Sequence, residues 1–178
     1  MPMPQKVLLL VSVGNPPPGL LRELEEPIAA QLGLRATVSG KAVLPRPEYA
    51  FNRDRGQYHC NAIMRRLVTL LEPGQSMVLG VTDVDLFVPD SPFVLGEADR
   101  ESRSAVMSLF RLRQGVEPDV FRRRAQVSAV HQAGHLLGLS YCEDTRCVMY
   151  FAQAPQECDR QQMSLCNNCR NELNKLNR

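Results

Sequence analysis

Residues 131–149 read HQAGHLLGLSYCEDTRCVM. Histidines four positions apart stand about one turn apart on the same face of a helix, close enough for two imidazoles to grip one ion. Gly138 stands three residues past the second histidine, and Tyr141 three residues beyond it. Cys142 and Cys147 follow, then Met149, and farther on Cys166 and Cys169. Two close cysteine pairs are the arrangement that closes a tetrahedral four-thiolate zinc site. A lone histidine pair is common in helices that bind nothing, and the cysteines behind it are what turn the reading toward metal. Cys60 and Cys158 lie outside the pairs and read as plain buried thiols.

Upstream, 117–137 reads as a helix, with Pro118 and Asp119 in a first turn where a missing N–H and a negative charge are both tolerated. Both sides of its C-terminal half are apolar or small. It is therefore expected to be an enclosed core helix that meets water only at Arg122, Arg123 and Arg124. Before it come a strand over 7–13, a helix over 20–32, a strand over 35–44, a helix over 57–71 and a strand over 76–82. Shorter strands are read at 86–88 and 93–96, and another at 105–112. That order describes one compact α/β domain over 1–178, a mixed twisted sheet packed on helices with a C-terminal helix.

Length and composition agree, since 178 residues suffice for one core but not two, and 44% hydrophobic with 22% charged residues is ordinary for a globular protein. A net charge of +2 gives no argument for nucleic acid. The opening MPMPQKVLLLVSVGNPPPG has no small-x-small cleavage site and ends in a proline turn, so it reads as a buried strand rather than a signal peptide. No apolar run is long enough to span a bilayer. A cytoplasmic monomer is expected, and in that setting clustered cysteines point to metal rather than disulfides.

The pattern from His131 to Cys169 resembles that of the archaemetzincins, a branch of the metzincin zinc proteases. Their motif runs H-E-x-x-H-x-x-G-x-x-H-C-x4-C-x-M and ends in C-x2-C. Arg55-Gly56-Gln57-Tyr58, the segment from Gly80 to Leu86, the segment from Phe93 to Ala98, and the segment from Ser108 to Leu112 also look like family segments. The resemblance implies a metzincin-like fold with a mixed sheet above a zinc helix, and a Met-turn beneath the ligands. It makes Met149 the Met-turn residue and Gly138 the turn after the zinc helix. Cys142, Cys147, Cys166 and Cys169 become ligands of a structural zinc, and His131 and His135 the residual ligands of a catalytic zinc.

Two positions depart from that pattern. Gln132 stands where a glutamate would act as general base, and Tyr141 where a third histidine would bind the metal. An amide is no base near neutral pH, and losing a positioned base costs on the order of 10²- to 10⁴-fold in rate. A phenol has an ordinary pKa near ~10 and must ionise to bind zinc well. The expectation is a zinc metalloprotease homologue with one structural zinc, a second zinc weak or absent, and hydrolysis lost or strongly impaired. Peptide binding would survive, because metzincins take peptides as a strand added to a sheet edge, here assigned to 86–98.

Two alternatives remain open. In one, Tyr141 is ionised by the metal and Glu97 or Glu143 replaces the base, although a surface salt bridge is the plainer reading of each carboxylate. In the other, the cysteine unit is a zinc-binding interaction module. Arg146, Arg160, Arg170, Lys175 and Arg178 are nearly cancelled there by Glu143, Asp144, Glu157, Asp159 and Glu172, and only Tyr150 and Phe151 offer stacking surfaces. No nucleic-acid partner is expected.

Overall fold

The structure, a computed structural model, describes residues 5–177. Met1 to Pro4 and Arg178, counted above among the C-terminal cations, lie outside the described residues. A five-stranded sheet has the order β2-β1-β5-β8-β7, formed by β1 (Val7–Val13), β2 (Arg35–Leu44), β5 (Met77–Thr82), β7 (Gly96–Asp99) and β8 (Ser104–Ser108). The first four in that order run parallel, and β7 lies antiparallel to β8 at the edge. A second sheet joins β3 (Phe51–Asn52), β4 (Gln57–His59) and β6 (Leu86–Phe87).

The central strands read as nearly unbroken apolar runs because helices cover both their faces. Leu8, Leu10, Leu79, Val81 and Met107 point to one side, where they pack with α1 (Leu20–Leu32) and α3 (Pro118–Leu137). Leu9, Val11, Val78 and Val106 point to the other, against α2 (Cys60–Val68). Gly80 permits that contact: a Cβ there would lie 2.6 Å from a methyl of Leu67. The chain closes with α4 (Pro155–Cys158) and α5 (Asn167–Leu176), whose Leu173 is buried against the α3 side.

Four expectations are corrected, the first being the strand read at 93–96, since β7 begins only at Gly96 and Val94 makes a single isolated bridge to Leu86. The helix read from residue 57 begins at Cys60, because Tyr58 and His59 first pair with Leu86 and Phe87 as a short parallel strand. The His59 ring then caps the helix by accepting the Asn61 N–H at 3.1 Å. The strand read to residue 112 stops at Ser108, whose hydroxyl donates to Val84 O at 2.6 Å and accepts the Phe110 N–H, turning the chain. Of the arginine triplet, Arg122 stays open to water as expected, while Arg123 and Arg124 are clamped. Arg124 is 4% exposed and makes a two-pronged ion pair with Asp159, Arg123 donates to the carbonyls of Cys158 and Gln161, and Arg122 pairs with Glu23. The segment around α4 folds back across α3 and supplies the partners of Arg123 and Arg124, and α1 supplies Glu23.

Among the described residues, no helix is long and apolar enough to cross a membrane.

Candidate metal centres

The C-terminal half of α3 is enclosed, so its side chains are fixed by packing before any ion arrives. His131 donates from Nδ1 to Val148 O at 2.9 Å, and His135 from Nδ1 to Leu139 O at 2.8 Å. A carbonyl only accepts, so in each neutral ring the hydrogen sits on Nδ1 and Nε2 is bare. The two Nε2 atoms lie 3.1 Å apart. Two lone pairs face each other with no hydrogen between them, an arrangement that a cation satisfies. Burial, and then the charge of His135, lowers the pKa of His131 to about 3; burial also lowers that of His135. Both rings are thus in the neutral state that metal binding requires.

The turn after the helix works as its spacing suggests. Gly138 ends α3 at φ +108°, and Leu139 N–H reaches back to Gly134 O at 3.0 Å. The chain then brings Tyr141 beside the pair, its ring 4.4 Å from that of His135 and 4.9 Å from that of Phe151. Tyr141 is 57% exposed. Burial of part of its ring, and then the charge of Glu97, raises the phenol above its ordinary range, so without a cation it stays an O–H. Met149 is fully buried beneath the helix, and a Cβ at Gly134 would stand 2.5 Å from its sulfur.

The four cysteines come together beside this turn. Cys142 and Cys166 Sγ are 3.7 Å apart, Cys147 and Cys169 Sγ 3.8 Å, and all four sulfurs lie within 4.8 Å of one another. Thiolates each ~2.3 Å from a tetrahedral zinc are separated by about 3.8 Å, so the cluster has the size of that ion's shell. Backbone N–H groups of Met149 and Cys166 point at Cys147 Sγ at 3.4 Å, and that of Cys169 at Cys166 Sγ at 3.5 Å. Such contacts support thiolates. Without an ion, burial and then the neighbouring thiol of Cys166 push Cys169 up.

The sequence profile of peptidase family M54 matches residues 24–175. The chain belongs to that family, the archaemetzincins. Over 139 residues it is 39% identical to the archaemetzincin of Methanocaldococcus jannaschii, covering 74% of this chain and 75% of the relative. The crystal structure of archaemetzincin from Methanopyrus kandleri superposes with a TM-score of 0.85 at 31% identity, covering 97% of this chain and 95% of that one. The archaemetzincin of Archaeoglobus fulgidus, crystallised with malonate, gives 0.79 at 28% identity, covering 93% and 99%. Zinc is the metal expected of the archaemetzincins, and the four-cysteine cluster fits it.

Within this archaemetzincin fold the remaining positions are placed as follows. Gln132 is 5% exposed and follows His131 on α3. A Cβ on Gly96 would lie 2.4 Å from its Nε2, so the glycine on β7 is what admits the amide. The amide makes no hydrogen bond among the described residues, and it fronts a cavity of about 20 Å³ shared with His131, Gly96 and Tyr150, enough for one water molecule.

Neither carboxylate proposed as a substitute base forms an ion pair among the described residues, so the salt-bridge reading is corrected for both. Glu97 is half-buried on β7, where Oε1 accepts the Ala98 N–H at 3.3 Å, and burial raises its carboxyl. Glu143 is exposed beside the cysteine cluster, on an open groove that runs to Lys175. Cys60 and Cys158 are buried thiols as read; burial pushes Cys158 up to about 12.

Gln161 has no signal in the sequence, yet it is 2% exposed with Nε2 2.9 Å from Cys147 O, 3.1 Å from Val148 O and 3.0 Å from Tyr150 O. It ties down the turn that carries Cys147 of the cysteine cluster and the Val148 carbonyl that orients His131.

Proposed function

We propose that this archaemetzincin binds peptides without hydrolysing them efficiently. Cys142, Cys147, Cys166 and Cys169 hold a structural zinc; His131 and His135, with Tyr141 as a weak third group, hold a second zinc poorly. The observation that carries the reading is Gln132: the position next to the first ligand is enclosed and faces the cavity, and it is filled by an amide that cannot take a proton from water near neutral pH. A peptide lies along β7, which has a strand on one side only and leads directly from Gly96 at the amide. Backbone hydrogen bonds to such an edge give affinity without any catalysis. The protein works as a cytoplasmic monomer, a reading tested by cell fractionation and by its mass in solution.

Zinc-loaded parent protein and the double variant Gln132→Glu with Tyr141→His are compared on casein. The expected result is no turnover by the parent and chelator-sensitive cleavage by the double variant, which regains the base and the third imidazole. Turnover by the parent that a chelator abolishes would sink the proposal. It would favour the active-peptidase alternative, for which the half-buried carboxyl of Glu97 is the base to remove first.

A further inference from the structure

Four cysteines can bridge in three ways, and the geometry of the cluster separates them. Cys142 Sγ lies 3.7 Å from Cys166 Sγ, and Cys147 Sγ 3.8 Å from Cys169 Sγ. These two contacts use each sulfur once, so both bonds can form in one molecule. Both run from the turn after α3 to the start of α5. Among the described residues no thiol–thiol hydrogen bond joins the sequence neighbours, Cys142 to Cys147 or Cys166 to Cys169. A disulfide bond is about 2.05 Å long, so each pair has to close by under ~2 Å.

The cluster is also within reach of solvent. Cys142, Cys166 and Cys169 are part-exposed and line an open groove of about 870 Å³, whereas Cys147 is 2% exposed behind them. A small oxidant therefore meets the first three sulfurs, and Cys147 answers from within. Cys60 and Cys158 are enclosed in the core and make no thiol–thiol contact among the described residues. The groove wall carries Glu143, Asp144 and Glu172 against Lys175, and zinc held by four thiolates is itself an anion. Such a field repels anionic oxidants and admits a neutral one.

We propose that the cluster is a hydroperoxide-responsive site: hydrogen peroxide converts the zinc-holding thiolates into two disulfides, Cys142–Cys166 and Cys147–Cys169, and the ion is expelled. The inference rests on the structural-zinc reading above. The thiolate of Cys142 or Cys166 attacks one peroxide oxygen, the O–O bond breaks, and a sulfenic acid and a hydroxide form. The facing thiolate then attacks the sulfenic sulfur and releases its oxygen as a second hydroxide. Two sulfurs have lost two electrons, the two peroxide oxygens have gained them, and the buffer supplies a proton to each hydroxide. A second peroxide repeats the sequence at Cys169, whose sulfenic acid Cys147 resolves. No thiolate then remains to bind the ion, which is released as Zn²⁺ without change of charge. The bridges join the turn to the start of α5, as the ion does, so the fold is held in both states.

The full chain, purified reduced and with its zinc counted beforehand, is treated with hydrogen peroxide. Released zinc is read with a chromogenic chelator, and bridges by mass mapping without reduction. The expected result is about two peroxides consumed per zinc released, the two bridges named, Cys60 and Cys158 left as thiols, and recovery of the starting state with a dithiol and zinc. The oxidised protein should melt about 5 °C or more above the reduced, chelator-stripped chain. Oxidised glutathione, an anion, should release zinc about tenfold or more slowly at the same concentration. Bridges between sequence neighbours, a bridge to Cys60 or Cys158, sulfinic or sulfonic acids in place of bridges, or zinc retained under excess peroxide overturns the proposal. Equal rates with oxidised glutathione overturn the choice of a neutral oxidant. A starting protein without zinc sinks the structural-zinc reading and the release with it, while mapping of the oxidised chain still decides the pairing. None of these readouts needs a variant to fold or a substrate to be cleaved.

Discussion

Burial, with the charge of His135 as second cause, takes the His131 imidazole to a pKa of about 3, against about 6.5 in an unfolded chain. Above the unfolded value both states are neutral and this group has no effect on stability. Below it the unfolded chain takes up a proton that the folded one refuses, so stability falls as pH drops from about 6.5 toward about 3, by at most about 1.4 kcal/mol per pH unit. Zinc on the same nitrogen competes with that proton, so acid acts against the ion as well. The expected outcome is a urea midpoint that falls between pH 7 and pH 5 in the parent and falls less in His131→Asn. Carboxylates common to both proteins cancel in the comparison, and parallel slopes would refute the assignment. Gln132, adjacent on the helix, does not titrate and adds nothing to that pH dependence.

The end of α3 is set by one backbone conformation. At φ +108° Gly138 occupies a region that residues with a side chain rarely adopt, and a Cβ there would stand 2.8 Å from the guanidinium carbon of Arg100. Gly138→Ala is expected to cost about 1–3 kcal/mol. It would also pull Tyr141 from the histidines, so a thermal melt and the zinc uptake of the histidine site should change together. A variant that loses neither would mean the turn tolerates another path. The same local chemistry explains how much of the fold was legible. Leu20, Leu21, Leu24, Ile28 and Leu32, closed by Gly33, define α1 to the residue, and β1 and β2 also fall where their apolar runs place them. The metal-site spacings were legible for the same reason, because they lie within single turns of chain. The misread elements depend on distant partners. The parallel pairing that makes 57–59 a strand is supplied by Leu86 and Phe87, and the hydrogen bond that ends β8 by Val84. Arg124 and Arg122 find acids 35 and 99 residues away. Three adjacent arginines carry no mark of that, and Gln161 carries none of the three carbonyls it serves.

Both centres hang on the segment from Cys142 to Met149. Val148 O fixes the ring of His131, Cys147 lies in the thiolate cluster, and Met149 N–H supports the Cys147 sulfur while its carbonyl accepts the Cys142 N–H at 3.0 Å. Tyr141 precedes the first of these cysteines directly. An ion in the cluster therefore restrains the segment from which the histidine site takes its shape, whereas the histidine pair restrains little of the cluster. The two sites should load in order. Native mass spectrometry of protein purified without added metal or chelator is expected to show one zinc per chain, with a second appearing only on zinc soaking and vanishing in His131→Asn. Cys166→Ser should lower Tm by about 10 °C or more, because a structural zinc is worth several kcal/mol and each kcal/mol moves Tm by roughly 2–4 °C at this chain length. It should also weaken the second site, although no cysteine touches it. Two zincs before soaking would show that Tyr141 completes a working ligand set. A Cys166→Ser variant that still takes up the second zinc at parental affinity would show that the shared segment transmits nothing between them.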